Sequence, residues 1–186
     1  MKLAAIVLAA GKGERFGGGK LAAPLAGKPL LDHAVDIALA SPADRVIVVA
    51  RPDGQPVDHL RAVQVDLASA GLAASLRAGV AAAGDVDGAL VFLGDMPLVP
   101  TDMAARLIAA IGDGLAALPT WHGKPGHPVL LGRRAFTLVE GLEGDEGLGR
   151  VLRGREDVVR LAVAEEGVVL DVDSVADLAE IAQRMT

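Results

Sequence analysis

The chain has 186 residues, a net charge of −6, 2% aromatic residues and neither cysteine nor tyrosine. That length suits one domain over residues 1–186, able to bury roughly 70% of the surface its unfolded chain exposes. The acidic balance argues against nucleic acid as a partner, the scarcity of aromatics against a base-stacking platform, and the lack of cysteine rules out disulfides and cysteine-held zinc or iron–sulfur sites.

The core must come from Ala, Leu, Val and Ile, a mix that suits parallel strands under Ala-rich helices. In chain order, the apolar run Leu3–Leu8 predicts a first strand. It enters a loop with Gly11, Gly13, Gly17, Gly18 and Gly19, with Lys12, Arg15 and Lys20 among them. Glycine allows close backbone approach, and successive N–H groups form an anion-binding nest, so the loop suits a polyphosphate. Gly19-Lys20 is followed by Leu21 rather than a hydroxyl residue, and Glu14 stands where the first P-loop glycine belongs, so the Walker pattern fails. The dinucleotide fingerprint is met only loosely, its third glycine coming one residue late at Gly17.

A helix follows over Leu30–Leu39, then a strand over Arg45–Val49 and a break at Pro52-Asp53-Gly54. Ala62–Val65 predicts a weaker strand, Ala73–Ala83 a helix and Ala89–Leu93 a short buried strand. Thr101 or Asp102 should cap a helix reaching about Ile111. Leu115–Leu118 predicts a strand, Pro119–Pro128 an irregular segment, Val129–Leu131 a strand, Arg134–Val139 a short helix and Gly141–Gly149 a loop. Val158–Val163 and Val168–Val172 predict strands, and Ser174 caps a last helix, Val175–Met185. Alternating β and α implies an α/β class: an open, mostly parallel sheet in a three-layer, Rossmann-like α/β/α arrangement, with ligands at the carboxyl ends of the strands.

Asp95, in Leu93-Gly94-Asp95-Met96-Pro97, should therefore lie on the rim that carries the first loop. Asp171, in Asp171-Val172-Asp173-Ser174, is a second acidic candidate, with Asp173 supporting the turn.

The string LAAGKGERFGGGK followed by LAGKPLL resembles the opening of GT-A-type nucleotidyltransferases, and is most similar to the molybdenum cofactor cytidylyltransferases and the wider MobA-like NTP transferases. Gly11, Gly13, Arg15 and Lys20 fit that family's G-x-G-x-R-(x)n-K loop. The resemblance implies a GT-A fold and transfer of an NMP to a phosphomonoester, with pyrophosphate released. Arg15, Lys20 and Asp95 would be catalytic, and Asp95 and Asp171 would hold Mg²⁺. Leu8, Ala9, Ala10, Gly11, Gly13 and Ser75 would bind nucleotide. Ala10 favours CTP, and His127 in Gly126-His127-Pro128-Val129 would lie near the acceptor, molybdopterin carrying molybdenum, or near the reacting phosphates. Molybdoenzyme maturation factors are the implied protein partners. Gly144-Asp145-Glu146-Gly147 resembles the subgroup's G-D-x-G-x-R loop, with Arg150 one residue late. Alternatives are an NADP-binding oxidoreductase reading a 2′-phosphate with Arg51, a sugar- or polyol-phosphate nucleotidyltransferase, and a non-catalytic nucleotide binder. No apolar run approaches the roughly 20 residues of a bilayer span, and the N-terminal run lacks a signal-peptide layout, so a cytoplasmic protein without a membrane partner is expected.

Overall fold

Leu3–Ala9 form the first strand, and every one of these residues is buried. Such a run suits a strand covered on both faces. The computed structural model describes residues 1–11, 13–54, 62–66 and 71–185. In chain order its elements are β1 (Leu3–Ala9), the short strands β2 (Pro24–Leu25) and β3 (Lys28–Pro29), α1 (Leu30–Ala40), β4 (Arg45–Ala50) and β5 (Ala62–Asp66). Then come α2 (Leu72–Ala83), β6 (Gly88–Leu93), α3 (Met103–Ala110), β7 (Ala116–Trp121), β8 (Lys124–Pro125) and β9 (Val129–Gly132). The chain ends with α4 (Phe136–Glu140), α5 (Leu148–Leu152), β10 (Val158–Ala162) and α6 (Val175–Arg184).

The main sheet runs β10-β7-β9-β6-β1-β4-β5, with β8 paired to β7. β1 pairs in parallel with β4 and β6, β9 runs antiparallel between β6 and β7, and β8 is antiparallel to β7. Alternate residues of β1 face opposite sides. Ala5 and Val7 join α1 and α3 in one apolar cluster through Leu31, Val35, Met103 and Leu107. Ala4, Ile6 and Leu8 join α2 and α5 in the other through Leu76 and Leu148. This gives the expected three layers. A third cluster of Leu25, Leu30, Val172 and Ile181 clamps α6 beneath the segment after β1.

Several expectations need correction. Pro119–Pro128 is not irregular throughout: β7 continues to Trp121 and folds back through β8. His122 and Gly123 both have positive φ, 46° and 79°, as a two-residue type I′ hairpin loop requires. Gly141–Gly149 is not all loop, because α5 begins at Leu148 and buries Leu148 and Leu152 one turn apart. Val168–Val172 is not a strand. Glu166–Val169 is a 3₁₀ turn, and Val168 reaches the core beneath β7 while Val172 enters the third cluster.

The last helix starts at a capping box. Ser174 Oγ accepts the Asp177 N–H at 3.2 Å, and Asp177 Oδ2 accepts the N–H groups of Ser174 and Asp173 at 2.7 and 3.0 Å. Ser174→Ala removes one bond of this box and should cost about 1 kcal/mol, while Ser174→Thr should restore it. Urea unfolding of the two variants checks this, and equal midpoints would contradict it. Gly79 lies mid-α2 against the sheet, where an added Cβ would stand 2.5 Å from Ile6 Cγ2 and 3.2 Å from Val49 Cγ2. Alanine gains about 1 kcal/mol of helix propensity, but overpacking costs about 1–3 kcal/mol. Gly79→Ala should therefore lower the unfolding midpoint, and a raised midpoint would mean that α2 moves off the sheet without cost.

Candidate active site

β1 and β6 are parallel neighbours with Leu8 opposite Leu93, so their carboxyl ends reach one rim together. The chain leaves β1 as the glycine loop and leaves β6 as Gly94-Asp95. The Gly94 N–H donates to Leu8 O at 2.9 Å, tying the two exits. Gly94 is required by packing rather than by ligand approach, since a Cβ there would meet Leu31 Cδ1 at 2.9 Å and Leu8 O at 3.1 Å.

The loop turns at Gly13 and forms a 3₁₀ turn over Glu14–Phe16, then a second over Lys20–Ala22. The N–H groups of Phe16, Gly17 and Gly18 bond back to Gly13 and Glu14. An anion would therefore meet the first half of the loop rather than the whole of it. Lys12, another expected cation, lies outside the described residues.

The acidic segment before α6 arrives on the same rim. The Val172 N–H donates to Asp95 O at 3.0 Å, and Val172 is fully buried. In extended chain, alternate residues share a face. Asp171 and Asp173 therefore flank buried Val172 and both turn toward Asp95. Carboxylate oxygens of Asp95, Asp171 and Asp173 lie within 4.8 Å of one another. An all-oxygen donor set of this kind fits Mg²⁺ or another hard divalent cation.

Two cations from the first loop meet these carboxylates. Lys20 Nζ stands 2.7 Å from Asp95 Oδ2 and 3.4 Å from Asp173 Oδ1, and Arg15 Nη1 stands 2.8 Å from Asp173 Oδ2. Burial alone would lower the Lys20 pKa. The Asp95 hydrogen bond and the charges of Asp95 and Asp173 outweigh it, so the pKa is raised and Lys20 stays a cation. Asp171 has its pKa raised, first by burial and then by the negative charges of Asp95 and Asp173.

A cleft of about 580 Å³ opens over this group. Leu8, Ala9, Ala10, Gly11, Gly13, Arg15, Lys20, Ser75, Asp95 and Asp173 all line it. The first-loop residues, Ser75, Asp95 and Asp173 thus share one cleft, while Asp171 joins Asp95 and Asp173 without lining it. Ser75 is buried, and its hydroxyl donates to Gly71 O at 3.3 Å, which serves the first turn of α2. His127 lies in a neighbouring, more apolar pocket of about 470 Å³ that shares Leu8, Leu72 and Leu93 with the cleft. Arg150 lines neither and pairs with Glu146. The residue whose role the sequence reading understated is Asp173, which contacts both loop cations. Its signal was the Asp-Val-Asp alternation itself.

The profile of the MobA-like NTP transferase domain matches residues 5–160. The purine catabolism protein PucB of Bacillus subtilis (strain 168) is 31% identical over 167 residues, covering 81% of this chain and 80% of that protein. The bifunctional protein GlmU of Azoarcus sp. (strain BH72) is 40% identical over 123 residues, but this chain spans only 27% of its length. Among solved structures, the Rv0371c homologue from Mycobacterium sp. strain JC1 superposes with a TM-score of 0.84 at 30% identity, covering 99% of this chain and 98% of that one. Rv0371c of Mycobacterium tuberculosis H37Rv, solved as a complex with manganese, superposes with a TM-score of 0.80 at 26% identity, covering 98% and 99%. With a family match across most of its length and a relative of similar extent, this chain belongs to the MobA-like NTP transferases.

Proposed function

We infer that this protein transfers CMP from CTP to a phosphomonoester acceptor, molybdopterin carrying molybdenum, in a Mg²⁺-dependent reaction that releases pyrophosphate. The observation that carries this reading is the convergence of Arg15 and Lys20 with Asp95 and Asp173 across 75 to 158 positions of chain. A cleft in which cations and carboxylates meet can bind a triphosphate and a divalent ion side by side.

In the reaction, an oxygen of the acceptor phosphate attacks the α-phosphorus. The bond from that phosphorus to the β-bridging oxygen breaks, and pyrophosphate carries away the electron pair. A phosphate monoester is largely ionised at neutral pH, with its second pKa near about 6, so no strong base is needed. Catalysis then rests on positioning and charge neutralisation. Arg15 and the backbone of Gly11–Gly13 would hold the β- and γ-phosphates, and Lys20 would face the α-phosphate. Asp95 and Asp171, with Asp173 beside them, would hold the metal, whose contribution is charge neutralisation at the phosphates. Leu8, Ala9 and Ala10, with Ser75 behind them, would form the nucleoside wall, and Ala10 favours CTP.

His127 Nδ1 lies 3.3 Å from Val91 O. A carbonyl only accepts, so Nδ1 carries the proton and Nε2 presents a lone pair. Burial lowers the pKa of His127 and keeps the ring neutral, against the opposing pull of the Val91 carbonyl and the Asp95 charge. His127 would therefore receive an N–H or O–H of the acceptor body rather than its phosphate.

The dinucleotide alternative relied on Arg51. Its guanidinium forms two hydrogen bonds with Asp53, at 2.9 and 3.0 Å, which leaves it less suited to a 2′-phosphate. Among the described residues, no helix is long and apolar enough to cross a membrane.

CTP with Mg²⁺ should raise the melting temperature more than GTP, UTP, ATP or NADP⁺. At about 100 times its Kd a ligand adds about 2.7 kcal/mol. Asp95→Ala should abolish the metal-dependent part, and pyrophosphate release with a phosphomonoester acceptor should fall about 10²–10³-fold in Lys20→Met. Stabilisation by NADP⁺ without metal, unchanged in Asp95→Ala, would overturn the assignment. His127 supplies a pH prediction. Unfolded, it titrates near its ordinary value of 6.5; folded, it titrates lower. Between those values the unfolded chain binds the extra proton, so stability drops as pH falls through that window. Urea titrations should show the wild type losing more stability than His127→Gln below pH 6.5. Equal pH slopes would mean that the folded protein leaves His127 solvated.

A further inference from the structure

Lys20 has two uses that exclude each other. Its ammonium contacts Asp95 Oδ2 and Asp173 Oδ1, so it already lies among the carboxylates suited to a metal. The same side chain lines the cleft over the glycine loop, where phosphates would lie. Its root is confined: a Cβ on Gly13 would stand 3.0 Å from Lys20 Cβ, so the stem runs directly over the loop. Only 12% of the side chain is exposed. A divalent ion on Asp95 would compete for the oxygen that Lys20 now contacts.

The charges fit such an exchange. Asp95, Asp171 and Asp173 face Lys20 and Arg15, which leaves one negative charge unmatched. Drawing Lys20 away leaves two, the charge that one divalent cation neutralises. Arg15 cannot play the same part, because it contacts only Asp173 within the cluster and its side chain is 83% exposed. Two acidic groups thus bear on one ammonium, Asp95 at the end of β6 and the Asp171–Asp173 segment before α6, and phosphates held by the loop would be a third.

We propose that Lys20 is a built-in counter-ion of the metal site, held by Asp95 and Asp173 until nucleotide phosphates draw it off, so that tight metal binding is conditional on nucleotide. This rests on the nucleotide reading of the cleft. Occupation by Lys20 lowers the apparent metal affinity by the fraction of molecules in which the carboxylates are free. Release by phosphate removes that reduction and places the ammonium beside the α-phosphate in one movement.

The test is a Mn²⁺ titration of the full chain, with free Mn²⁺ read by electron paramagnetic resonance. Wild type, Lys20→Met, Lys20→Arg and Arg15→Met are compared, with and without a CTP analogue whose α,β-bridge is a methylene. Without nucleotide, Lys20→Met should bind Mn²⁺ about tenfold more tightly than wild type. Lys20→Arg should stay near wild type, and Arg15→Met should change by no more than about threefold. The analogue should tighten Mn²⁺ binding more in wild type than in Lys20→Met. Circular dichroism checks that each variant is folded, and Lys20→Gln replaces Lys20→Met if the latter is not. Unchanged or weaker Mn²⁺ binding in Lys20→Met overturns the proposal. Equal tightening in Arg15→Met also overturns it, because net charge alone would then account for the effect. If no analogue binds, the nucleotide reading fails, while the nucleotide-free comparison still decides whether Lys20 occupies the site. Absence of Mn²⁺ binding from every protein would overturn the counter-ion role.

Discussion

The parallel pairing of β1 with β6 governs everything that lies above it. Parallel strands end on the same rim, and the register Leu8 to Leu93 brings the glycine loop and Asp95 to one level. A slip by one residue would move the side chains that pack on α1 and α3 to the face of α2 and α5. The bond from Gly94 N–H to Leu8 O then closes the strand ends together. The rim is thereby joined to the centre of the sheet, where each residue of β1 is buried. Support of this kind is what charge-based catalysis requires, because donors and cations must stand in place before charge develops.

The second acidic segment depends on a weaker device. It belongs to no strand, and its place is set by the Val172 N–H on Asp95 O, by the buried Val172 side chain and by the capping box of α6. The glycine loop shares the third apolar cluster with it through Phe16 and Leu21. Loop and acidic segment thus rest on one small satellite core, which Leu21 joins to the larger cluster of α1 and α3.

Much of this was legible in the sequence. Continuous apolar runs marked β1, β4 and β6, because strands covered on both faces need no polar positions. The loop residues and Asp95 followed from their place after those strands. What the sequence hid was local. The β7–β8 hairpin was obscured by prolines at positions 119 and 125, although His122-Gly123 carried the turn. α5 was masked by glycines 147 and 149. Val168–Val172 had a strand's composition, but two different apolar clusters claim its ends. Asp173 was read as turn support because the Asp-Val-Asp alternation shows that it shares a face with Asp171 but not that Arg15 and Lys20 meet it from 158 and 153 positions away.

The antiparallel strand β9 has a further effect. By lying between β6 and β7 it sets those two a pair of strand spacings apart, about 10 Å. β7 still points toward the same rim as β1 and β6, and its hairpin rises there beside the apolar pocket lined by His127, Gly123 and Pro125. One half of the rim is thereby built by β1 and β6, the other by β7 and its turn, with a spacer between them. Such a layout lets the hairpin lengthen or change chemistry while the half built by β1 and β6 keeps its register, so the two halves of the rim can vary independently.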